Sequence, residues 1–131
     1  MSSTSTRDLS ITTTATQADA QLIVGLLGTP HSMHAFDGAD FLMSRPTPLS
    51  FEQYEREHPP GSHHRRDINA LLGFHETLGA FVKRGLLDRD LVLDLYWVEG
   101  AWRVCEQIVL GMRAKTGEPR LYENFEALAR S

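Results

Sequence analysis

The sequence predicts an all-α fold, a small bundle of about five to seven helices preceded by a flexible amino-terminal tail. Apolar residues recur at i, i+3 and i+4 in segment after segment, alternation of period two is sustained nowhere, and the segments are divided by capping residues, glycines and prolines. A chain of 131 residues buries roughly two-thirds of the surface it exposes when unfolded. Its core therefore needs neither disulfides nor a structural metal.

Residues 1–14 are dominated by Ser and Thr and have little to bury, so they read as a flexible tail. Residues 15–131 read as a single helical domain. From Thr16, residues Ala18, Leu22, Ile23, Leu26 and Leu27 outline a first helix. Asp19 falls in its first turn, where the helix dipole favours a carboxylate, and Gly28 followed by Pro30 supplies a stop. Between His31 and Arg45, residues Met33, Phe36, Phe41 and Leu42 suggest a second short helix, with Gly38 as a point of interruption. Pro46 and Pro48 force an extended link. Ser50 and Gln53 have the spacing of a capping box, and the helix they open is stopped near His58 by Pro59 and Pro60.

The second half carries the stronger periodicity. From Asp67 to Arg84, residues Ile68, Leu71, Leu72, His75, Leu78 and Val82 share one side, with Asn69, Glu76, Lys83 and Arg84 facing water. Gly85 terminates this central helix. Asp88 caps a further helix running to about Gly100, and Trp102, Cys105, Ile108, Val109 and Met112 define another, closed by Gly117 and Pro119. The segment from Tyr122 to Arg130 forms a last apolar stripe over the open side of the bundle.

The run from Gly73 to Asp94, followed by Trp102, Arg113 and the segment Leu121 to Ala129, resembles an uncharacterised bacterial helical family, a domain of unknown function, over the carboxy-terminal half of the chain. That resemblance implies an all-helical fold. It carries over no activity and no site residue.

Composition narrows the classes of function. With 13 basic and 17 acidic residues the formal charge is −4, which lacks the positive face that nucleic-acid binding requires. The stretch from Leu22 to Leu27 is far shorter than the roughly 20 residues of a membrane-spanning helix, so no membrane is expected. The single Cys105 excludes an internal disulfide and suits a reducing, cytoplasmic setting.

Five places invite a functional reading. Ser62, His64, Arg65 and Arg66 stand at the start of the central helix, where basic side chains add to the positive end of the dipole; a bound small anion would compensate, as would Glu55 and Glu57 or a later helix start at Asp67. A helix start at Ser62 without a nearby acid would favour the anion. His63 and Asp67 are one turn apart, with His58, His64, His31 and His34 also present, yet this spacing supplies two metal ligands and not three, so no metal and no cofactor is expected. His75 lies in the apolar stripe, as a general base or as a core histidine bonded to a backbone carbonyl or to Asp94. Cys105 lies on a core face, where a thiol is inert. Trp97 and Trp102 flank the Glu99–Gly100 turn, and an exposed ring there would anchor a protein partner.

Two functions follow. The first is a non-catalytic helical interaction module, self-associating, because short amphipathic helices leave apolar surface that a second copy can cover. The second is a small-molecule anion binder or enzyme centred on Ser62, Arg65, Arg66 and His75.

Overall fold

The computed structural model describes residues 14–131; the tail expected over residues 1–14 lies outside them except for Thr14. Among the described residues there are seven α-helices and no strand: α1 (Gln17–Leu27), α2 (Pro30–Met43), α3 (Phe51–Glu57), α4 (His63–Lys83), α5 (Arg89–Leu95), α6 (Val98–Thr116) and α7 (Glu123–Ala129). No helix among them is long and apolar enough to cross a membrane.

α4 is the axis of the bundle. Its apolar stripe is enclosed because α2 runs along one side and α7 along another, while α6 packs on α3 and α7. Ile68, Leu71, Leu72 and Leu78 of α4 are thereby fully buried, with Leu42, Leu49, Tyr54, Ile108, Val109 and Phe125 completing the core. Each such aliphatic side chain contributes roughly 1.5–3 kcal/mol on leaving water.

Caps set the starts of four helices. Thr16 and Asp19 form a reciprocal box on α1, Thr29 caps α2, Ser50 and Gln53 form the expected box on α3, and Asp88 accepts the Leu91 amide on α5. Asp19 does more than cap: its Oδ1 accepts the Asp88 amide at 3.0 Å, tying α1 to the start of α5.

Several expectations are corrected by the packing. Gly28 and Pro30 do end α1, but Pro30 also begins α2, since the first helical position needs no amide donor. α2 runs unbroken through Gly38, because a side chain there would overlap the Asp67 backbone; the glycine lets α2 and α4 touch. α4 starts at His63 with Ser62 as N-cap, one turn earlier than Asp67. Gly100 lies inside α6 and ends nothing, its missing side chain leaving room for the Trp97 ring.

Glu76 does not face open water. Its carboxylate accepts the amides of Asn124 and Phe125 at 3.0 and 2.9 Å and the Asn124 side-chain amide at 2.8 Å. It thus caps α7 from a distance in sequence, where Tyr122 supplies no side-chain cap of its own. Arg113 adds a second tie, donating to the Leu121 carbonyl at 2.8 Å and pairing with Glu126 at 2.8 Å.

Candidate functional site

The start of α4 begins as the anion reading requires and then departs from it. The helix opens at Ser62, no acid lies in its first turn, and the Ser62 hydroxyl makes no capping bond. Yet Arg65 turns back onto α3, donating to Glu55 at 3.2 Å and to the His58 carbonyl at 3.2 Å, with its guanidinium over the Tyr54 ring. Arg66 pairs with Asp67 at 3.1 Å. Both arginines expected to hold an anion are therefore already matched by acids.

Ser62 and His64 have different company. His64 stacks on Phe41 of α2 with ring centroids 3.9 Å apart, and His58, at the end of α3, meets both rings edge-on at 5.4 and 5.2 Å. The Arg45 guanidinium, just past α2, reaches over the same Phe41 ring. Burial first, then the neighbouring His64 and, more weakly, Arg45 and His63, hold the His58 ring below the usual histidine range, with Glu57 opposing. Arg45 is the member that sequence reading misses. It follows an unrelated helix, and only the lie of α2 along α4 brings it near.

The histidines do not assemble a metal centre: among the described residues no group of three or more His, Cys, Asp or Glu side chains is placed to hold one. Asp67 faces His34 Nδ1 at 3.3 Å and Arg66, and His63 lies against the His64 ring at 4.0 Å.

In the core, His75 is bonded through Nδ1 to the Leu71 carbonyl at 3.0 Å and stacks on Phe125. Asp94, the other expected partner, is exposed and is not bonded to it. Burial drives the His75 pKa down to about 4, with the Leu71 bond opposing. Burial likewise pushes the Cys105 thiol far up, so no thiolate forms there at neutral pH.

The two tryptophans part company. Trp102 is 5% exposed, packed edge-on to Phe125, and belongs to the core, so it cannot anchor a partner as the sequence suggested. Trp97 is 64% exposed. Its ring lies over Gly100 in the first turn of α6, with the Arg103 guanidinium 5.8 Å away. Leu95 beside it is also exposed. Between Leu95 and Trp97, Tyr96 meets Phe74 at 5.6 Å, and Phe74 in turn meets the half-exposed Phe36 of α2 at 5.7 Å. Met33, one turn before Phe36, is exposed as well.

Fold and surface define a small all-α domain built on one central helix, with an aromatic ring held out at one turn. The chain belongs to the family described as a domain of unknown function, DUF4760, whose model matches residues 15–131. The resemblance is therefore not confined to the carboxy-terminal half: α1 to α3 belong to the same unit. No curated protein and no solved structure matches the chain.

Proposed function

We propose that this domain is a non-catalytic interaction module that associates with a second copy of itself through the apolar surface around Trp97. The observation that carries the reading is the ring itself, 64% exposed yet fixed against the backbone of Gly100. A Trp side chain offers on the order of 150–250 Å² to a partner. One that is already positioned loses little freedom on binding, which is the character of an interface anchor.

The surroundings support a copy of the same chain. Leu95, two residues before Trp97 in the chain, adds exposed apolar surface, Met33 and Phe36 of α2 are exposed as well, and the α6 rim beside the ring carries the Glu99–Arg103 pair, 3.4 Å apart. A twofold interface must be complementary to itself, and a rim holding both signs can exchange its partners between copies. The net charge of −4 speaks against nucleic acid as the partner. A lone buried thiol at Cys105 fits a cytoplasmic setting.

Light scattering across a dilution series tests this. The expected result is a mass above that of the monomer at high concentration, falling on dilution, with Trp97 shielded from acrylamide in the associated form. Trp97→Ala, at an exposed site, is expected to keep the helical spectrum and stay monomeric throughout. A wild-type chain that is monomeric at every concentration overturns the reading.

A further inference from the structure

We propose that the start of α4 is a phosphate-binding site in which Arg45, His58, Ser62 and His64 hold the phosphate against the open first turn of the helix. This site involves neither Trp97 nor self-association.

Two independent observations point to it. The first is the helix end. α4 is 21 residues long, its N-cap hydroxyl caps nothing, and its first intrahelical bond runs from the Arg66 amide to the Ser62 carbonyl. The amides of His63, His64 and Arg65 are left without helical partners, at a terminus bearing about half a positive charge. The second is a set of buried polar atoms that meet nothing. His58 is 8% exposed, and its Nε2 has no hydrogen-bond partner. Arg45 Nε, Ser62 Oγ and His64 Nδ1 are in the same condition.

These atoms come from the ends of α2 and α3 and the start of α4; the Arg45, His58 and His64 side chains gather around the Phe41 ring, and Ser62 is the N-cap of the helix that carries His64. A buried polar atom without a partner costs roughly 1–3 kcal/mol. Leaving several at one place asks for a ligand that satisfies them together.

The sign and shape of that ligand follow from the neighbours. Every side chain in the set is a donor or can become a cation. The acids nearby are engaged elsewhere, Glu55 by Arg65 and Lys115, Asp67 by Arg66, and Glu57 by Arg56. With the nearby acids among the described residues so engaged, a bound anion is what answers these donors. Donors arriving from three segments, with backbone amides beneath them, suit the tetrahedral array of phosphate oxygens better than the two coplanar oxygens of a carboxylate. The named atoms are covered, but Arg45, Ser62 and His64 are only half-buried as residues.

The test is thermal unfolding of the full chain with rising inorganic phosphate, against chloride and acetate at equal ionic strength, together with histidine ring signals followed by NMR. Phosphate is expected to raise the melting temperature in a saturable way and to move the His58 and His64 signals. Arg45→Gln and Ser62→Ala, both at half-buried positions, are expected to lose the response, and Arg66→Gln to keep it. Phenyl phosphate separates the sources: a response to both compounds assigns a phosphate carried on a larger molecule, and a response to inorganic phosphate alone assigns the free ion. No saturable response to either, an equal response to acetate, or a full response in Arg45→Gln overturns the proposal.

Discussion

At His75 the ring donates through Nδ1 to the Leu71 carbonyl and lies flat on Phe125, 4.7 Å between centroids, so protonation would put an uncompensated charge into the core. The folded-state pKa of about 4 lies below the ordinary 6.5. Above pH 6.5 the ring is neutral in both states and the stability is complete. As the pH falls toward 4, the unfolded chain takes up a proton that the fold refuses, and about 3 kcal/mol is lost. Urea unfolding of wild type and His75→Leu at pH 7 and pH 4 checks this. The variant is expected to lose less stability between the two values by about that amount, and an unchanged difference sinks the assignment. The place of His75 in the core stripe of α4 was legible in the sequence; the choice of the Leu71 carbonyl over a carboxylate such as Asp94 as its partner was not. The contrast between Trp97 and Trp102 was not legible. Both rings flank one turn, and only the seating of Phe125 against Trp102 decides which is hidden.

Helices in this chain are joined where backbones come close, and glycine and carboxylate do that work. Gly38 faces the Asp67 backbone and Gly79 faces that of Asn124, each too near for a side chain, whereas Gly25 in α1 has open space. Gly38→Ala is expected to destabilise by about 1–3 kcal/mol through overpacking, despite its better helix propensity. Gly25→Ala is expected to stabilise by up to about 1 kcal/mol. Denaturation midpoints of the two variants should move in opposite directions. Glu76 makes a parallel case. Glu76→Ala strips three hydrogen bonds from the start of α7 and should cost about 2–3 kcal/mol, with Glu76→Gln intermediate. Loss of amide protection in Asn124 and Phe125, read by hydrogen exchange, locates the effect in α7. Sequence reading put Glu76 in water because periodicity gives the side of a helix on which a residue lies. It does not say that another helix end will be parked there.

Across the molecule α4 touches both α2 and α7, and α6 packs on α2, α3 and α7. An unbroken core around one helix predicts a single cooperative unfolding transition. Leu72→Ala, at a fully buried site, should lower stability by about 2–5 kcal/mol. Helix content and tryptophan fluorescence are expected to shift together, and separate transitions would divide the bundle into independent parts. The sequence alone determined that the chain is helical, and roughly where the helices fall, because spacing, caps and prolines act within one or two turns. It also placed Cys105 in the core, and it left the start of α4 open between Ser62 and Asp67. Only the tertiary structure decided that Arg65 and Arg66 answer to Glu55 and Asp67, that Arg45 and His58 stand beside His64, and that Trp97 and not Trp102 is left outside. Those outcomes depend on which helices cross, and a crossing is set by contacts between residues far apart in the chain, which no local pattern records.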